Sequence, residues 1–84
     1  MSRIVKIKVL YFAELRDALG KSEEEMSTSA DSIGALASEL ASRYDAIRVR
    51  MSSVRFAKNE SFASREDALE EGDTIALLPP VAGG

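Results

Sequence analysis

The segment Pro79-Pro80-Val81-Ala82-Gly83-Gly84 holds the arrangement in this sequence best suited to do chemistry. Neither glycine has a Cβ, so the pair can enter a channel too narrow for any other dipeptide. The carboxylate of Gly84 sits at its tip, reachable by another protein's active site. Floppy linkers are Gly/Ser-rich, whereas Pro79 and Pro80 fix φ, donate no N–H and end a strand. Proline also holds the preceding residue extended, and six such residues reach roughly 20 Å. The pattern predicts a stiff arm carrying a reactive carboxyl, flexible as a unit because nothing apolar beyond Val81 anchors it.

The remaining side chains offer little chemistry of their own. There is no cysteine and no histidine, hence no thiolate, no disulfide, no imidazole base and no Cys or His metal ligand. Free-standing catalysis is not expected; any reaction uses the terminal carboxyl or a partner's residues. Gly20-Lys21-Ser22 ends like a phosphate-binding loop, but that motif needs a glycine where Leu15 stands. The following Glu23-Glu24-Glu25 would repel phosphate. Asn59-Glu60-Ser61 matches a glycosylation acceptor but reads as a turn. Glu66, Asp67, Glu70, Glu71 and Asp73 lack the alternation and central glycine of a calcium loop, so they read as a solvated acidic face or one meeting a basic partner.

The elements that must hold the arm out can be read from periodicity. Val5, Ile7, Val9 and Tyr11 alternate with Ile4, Lys6, Lys8 and Leu10, a half-buried strand whose outer face turns apolar at Leu10 and Phe12. Ala13–Leu19 follows as a short helix closed by Gly20. Glu23–Ser29 is expected to pair back on the first strand. Ser32 caps a main helix whose stripe is Ile33, Leu36, Ala37, Leu40, Ala41, Tyr44 and Ile47. Val54–Lys58 and Ser61–Ala63 form a hairpin about Asn59-Glu60. Ser64-Arg65-Glu66-Asp67 resembles a capping box opening one helical turn through Leu69. Gly72-Asp73 turns the chain into a last strand, Thr74–Leu78, stopped by Pro79. Strand parity points Ile75 and Leu77 inward, and Thr74, Ala76 and Leu78 outward beside Leu10 and Phe12.

At 84 residues, 45% hydrophobic and 30% charged, the chain is one small soluble domain. The expected organisation is a domain over 1–78 and a tail over 79–84. A net charge of −3 argues against nucleic acid. Lysines interrupt the apolar stretch 4–13, which disfavours a membrane span or a signal peptide. The expected location is the cytoplasm.

Leu69-Glu70-Glu71-Gly72-Asp73-Thr74-Ile75-Ala76-Leu77-Leu78 with the Pro-Pro-Val-Ala-Gly-Gly ending strongly resembles the small subunits of molybdopterin synthase, the MoaD family. Ile7-Lys8-Val9-Leu10-Tyr11-Phe12-Ala13-Glu14-Leu15-Arg16-Asp17 is similar to that family's opening strand and first helix. The resemblance implies an α+β, ubiquitin-like β-grasp fold, a mixed sheet of about five strands on one main helix. It implies a sulfur carrier for molybdenum cofactor biosynthesis, with Gly84 adenylated and thiocarboxylated and Gly83 beside it. Pro79, Pro80, Val81 and Ala82 would be the spacer. It places Phe12, Phe62 and Leu78 against a large synthase subunit, in a complex of two large and two small subunits. The other implied partners are an adenylating enzyme, which uses ATP and magnesium, and a sulfur donor; no intrinsic cofactor is implied. The pair Leu77-Leu78 departs from relatives, which often carry phenylalanine there. The same tail would serve a carrier for thiamine or tRNA thiolation, a ubiquitin-like modifier joined to lysines, or an interaction domain with an inert tail.

Overall fold

The computed structural model describes residues 3–80; of the expected tail, Val81, Ala82, Gly83 and Gly84 lie outside the described residues. The alternating segment forms β1 (Val5–Tyr11), with Val5, Ile7, Val9 and Tyr11 all buried. It is followed by α1 (Ala13–Leu19), which ends at Gly20 in the left-handed conformation at φ 74°. β2 (Glu23–Thr28) pairs antiparallel with β1, burying Met26 and Thr28. The hairpin strands are β3 (Arg55–Lys58) and β4 (Ser61–Ala63), and β5 (Thr74–Leu78) is the last element. The order across the sheet is β2-β1-β5-β3-β4. β1 and β5 run parallel, and the other neighbours antiparallel.

The main helix, α2 (Ile33–Arg43), starts at Ser32, whose hydroxyl accepts from the Ala35 N–H at 3.1 Å. Its residues Ile33, Leu36, Ala37 and Leu40 share one core with the inward side chains of the strands. Leu15, Ile33, Leu40, Ile47, Ile75 and Leu77 are completely buried. Each contributes about 1.5–3 kcal/mol, a large share of the margin of so small a domain.

The apolar stripe predicts one helix through Ile47, and here the structure differs. Tyr44 is extended (φ −128°, ψ 117°), and a separate one-turn helix, α3 (Asp45–Arg48), carries Ile47 into the core. The break has a visible cause in what Tyr44 reaches. Its hydroxyl donates to Glu24 at 2.9 Å and accepts from Lys21 Nζ at 3.1 Å. Its ring meets Tyr11 edge-on at 6.4 Å. The Tyr11 hydroxyl also donates to Glu24. Partners on β1 and β2 thus hold Tyr44 where a continuous helix would not place it.

This cluster sets a pH dependence. Burial opposes the Glu24 charge, yet hydrogen bonds from Tyr11 and Tyr44, with Lys21 and Arg43 nearby, outweigh it and hold the carboxyl below the usual Glu range. A depressed folded value stabilises the fold above the ordinary Glu pKa, and that contribution is lost as pH falls through the folded value. Glu24→Gln is therefore expected to lower the urea midpoint at pH 7 and to flatten its decline between neutral pH and about pH 3. A variant as acid-sensitive as the parent would remove Glu24 from the account. Burial, then the Glu24 hydrogen bond, also pushes the Tyr11 hydroxyl well above the usual tyrosine range, so it stays a donor throughout that window.

The segment after β4 is the second departure. The Asp67 carboxylate accepts from the Ser64 N–H at 3.1 Å and from its hydroxyl at 3.3 Å, half of the anticipated capping box. No helix follows, because the carbonyls it would need are already used. Asp67 O accepts from the Ile33 N–H at 3.0 Å and Arg65 O from the Gly34 N–H at 2.8 Å. Those are first-turn donors of α2 with no partner inside their own helix. The approach is so close that a Cβ on Gly34 would lie 3.1 Å from Arg65 O. Leu69 is nonetheless fully buried, as the apolar pattern requires.

Candidate functional site

The strand registers assemble the outer face of the sheet row by row. Leu10 stands opposite Ala76, Ala76 opposite Ala57, and Ala57 opposite Phe62, a continuous row across β1, β5, β3 and β4. The next row toward the tail holds Leu78 opposite Arg55, with Phe12 just past the end of β1. Two alanines therefore form the floor of a shallow trough, and Leu10, Phe12, Leu78 and Phe62 form its walls. Phe62 is 81% exposed and Phe12 42%. The trough has about 660 Å³ of space. That would suit a small ligand, but ligand sites also converge several polar groups. This one is apolar apart from its end at Thr74, Asn59 and Glu60. A face of this kind fits apolar side chains of another protein.

Both aromatic walls are held by unusual backbone. The Phe12 carbonyl accepts from Leu15 and Arg16, so Phe12 is the N-cap of α1. Ala13 behind it is left-handed at φ 52°, a conformation costing roughly 1–2 kcal/mol outside glycine. Phe62 follows a two-residue turn in which Asn59 (φ 51°) and Glu60 (φ 73°) are both left-handed, the type that matches strand twist. Asn59 locks this turn onto β5. Its amide donates to the Asp73 carboxylate at 3.0 Å and accepts from the Thr74 N–H at 2.9 Å. The buried Asp73 carboxylate also accepts from the Glu70 N–H at 2.9 Å.

The structure thus brings Phe12, Phe62 and Leu78 onto one face, together with the expected Leu10, Thr74 and Ala76. Phe62 is free of the core edge. Pro79 and Pro80 continue from Leu78 at the tailward side of the trough, Pro80 exposed. Gly83 and Gly84, with Val81 and Ala82, lie outside the described residues. Sequence reasoning missed Ala57 and Arg55, although parity about the buried Phe56 would have placed both outward. Among the described residues no group of acidic side chains is disposed to hold a metal ion, and no helix is long and apolar enough to cross a membrane.

A family model described as the ThiS family matches residues 9–84. The molybdopterin synthase sulfur carrier subunit of Mycobacterium tuberculosis is 33% identical over 84 residues, covering 96% of this chain and all of that protein. The protein of the same name from Chlamydomonas reinhardtii is 36% identical, covering 95% of this chain and all of its own length. The small archaeal modifier protein 1 of Methanosarcina acetivorans superposes with a TM-score of 0.83 at 25% identity, covering 98% of this chain and 99% of its own. A Caldiarchaeum subterraneum ubiquitin, at 16% identity and a TM-score of 0.66 over 98% of this chain and all of its own, shares the fold. The sheet and helix described above are thus the ubiquitin-like β-grasp arrangement.

Proposed function

The chain belongs to the ThiS family, and from that premise we propose that it is the sulfur carrier of molybdopterin synthase. The observation that carries this reading is its likeness, over nearly the whole length, to proteins of that name. The Gly-Gly ending supplies the group such a carrier needs. An α-carboxyl titrates near about 3.5, so Gly84 is ionised at neutral pH and a poor electrophile. On an adenylating partner, its carboxylate oxygen would attack the α-phosphorus of ATP, with magnesium, and pyrophosphate would leave. Hydrosulfide delivered by a sulfur donor would then attack the acyl carbon, expel AMP and lose its proton. The resulting thiocarboxylate is nucleophilic without any thiol in the chain, consistent with the absence of cysteine.

In this reading the trough seats the large synthase subunit, and the tail over 79–84 threads into its active site to deliver sulfur to cyclic pyranopterin monophosphate. Two large and two small subunits would make the working complex. Two sulfurs are needed per dithiolene, so spent and charged carriers must exchange. Proline stiffness lowers the ordering cost of threading. Glycine at the tip permits close approach of the backbone.

Incubation with the adenylating enzyme of the same organism, ATP, magnesium and a sulfur donor is expected to replace one oxygen of the terminal glycine by sulfur, seen by mass spectrometry of the C-terminal peptide. An unchanged mass with an active enzyme would overturn the reading. The likeness to a small archaeal modifier protein favours a second one, in which a lysine amine takes the activated glycyl group. Isopeptide-linked conjugates in cell lysate, with no sulfur-charged form, would select it.

A further inference from the structure

The outer face is electrically lopsided. At one edge, Glu23 and Glu25 of β2 stand opposite Leu10 and Lys8, and Lys8 pairs with Glu23 at 3.7 Å. At the other edge lie Arg55 and Arg65, which line a second groove whose floor includes Phe56. Phe62 belongs to both grooves and forms the ridge between them.

Among the described residues the arginines divide into two groups. Arg16, Arg43, Arg48 and Arg50 pair with Asp17, Glu39, Asp45 and Glu14 respectively. Arg3 donates to the Leu69 carbonyl. Arg55 and Arg65 have no such partner, although Glu66 lines the same groove. Arg65 is instead parked over the Phe56 ring, its Cζ 5.9 Å from the centroid. Its backbone is pinned to α2 through Gly34. Arg55 is opposite Leu78, at the root of the tail. A planar guanidinium is suited to bidentate capture of a carboxylate. Two of them flanking an exposed phenylalanine in a chain of net charge −3 mark a local reversal of sign.

We infer that the groove between Phe62 and Arg65 takes a carboxylate-bearing segment of the protein that docks on the trough, with Arg55 and Arg65 as its charge partners. This rests on the docking reading above and adds the chemistry of the partner's rim. The net negative charge disfavours a polyanion, whereas a peptide with one or two Asp or Glu beside an apolar residue meets both the arginines and the ridge. Together with the acidic β2 edge, the arginines fix the orientation of docking, since a partner turned by half a revolution would place like charges together.

The test is the association of the full chain with the large synthase subunit of the same organism, measured kinetically at low and high salt. Arg55→Glu with Arg65→Glu is expected to slow association at least about tenfold at low salt and to flatten its salt dependence, with dissociation little changed. Arg55→Glu alone, which touches no core contact, should show a smaller effect in the same direction. Arg55→Lys, which keeps the charge but not the fork, should associate at close to the parent's rate. Association and salt dependence equal to the parent in both Glu variants would overturn the inference. Leu78→Arg separates the two layers. If it loses binding while the arginine variants keep theirs, only the carboxylate partner is wrong. If it binds like the parent, the docking reading itself fails, and this inference with it.

Discussion

Deleting Gly84, or replacing Gly83 by Leu, is expected to abolish sulfur charging while leaving the domain folded. Among the described residues, every member of the core lies between Val5 and Leu77, and the thermal midpoint should be unchanged. The chemistry tolerates no such change. Without Gly84 the carboxylate is drawn back by one residue, about 3.5 Å, and misplacement on that scale at a reacting centre costs orders of magnitude in rate. A leucine at 83 brings a branched side chain to the place where backbone must pass closest to the partner. The readout is the oxygen-to-sulfur mass change together with molybdopterin formation. A Gly84-deleted chain that still charged and still supported that product would sink the assignment of Gly84 as the reacting group.

Leu78→Arg should have the next largest effect, on binding rather than on charging chemistry. Leu78 is only half-buried in the free chain and stands in the outer row beside the tail, so arginine there can extend into solvent at little cost to folding. In a docked complex the same side chain would sit in an apolar contact. Losing its burial costs about 2 kcal/mol, and an unpaired charge at the centre of the interface adds several more. Affinity for the large subunit should fall on the order of 100-fold or more. Phe12→Arg should do the same, less strongly, because Phe12 is already nearly half exposed. Unfolding of both variants, seen by circular dichroism, would return these residues to the core and remove them from the interface.

Local periodicity carried much of this molecule. Alternation in β1, the Ser32 cap, the stripe from Ile33 to Leu40 and the proline stop after Leu78 are patterns within a dozen residues, and all are present as read. Parity from those strands was enough to put Phe12 and Leu78 on one face. Tyr44 shows where such reading stops. The stripe continues past it without interruption, and only the distant Glu24 and Lys21 reveal why the helix breaks. Ser64–Leu69 fails likewise, since its carbonyls go to Ile33 and Gly34, which no local pattern announces. Arg55 and Arg65 drew no notice because exposed arginines are ordinary in any sequence. They stand out only once the other arginines are seen to be paired.

The parallel pairing of β1 with β5 bears on how the protein is made. The strand added last during synthesis takes a place in the middle of the sheet, between β1 and β3, and brings Ile75 and Leu77 to the core. A nascent chain lacking it would hold β1–β2 and the β3–β4 hairpin with no strand to join them into one sheet. Such a fragment cannot close the long-range contacts on which folding of this topology depends, and its exposed apolar surface is what cellular proteases and chaperones act on. Copies terminated before β5 are therefore expected to be cleared as unfolded chains. Because the strand that completes the sheet is also the one that launches the tail, a chain cut short before β5 loses its fold together with its tail.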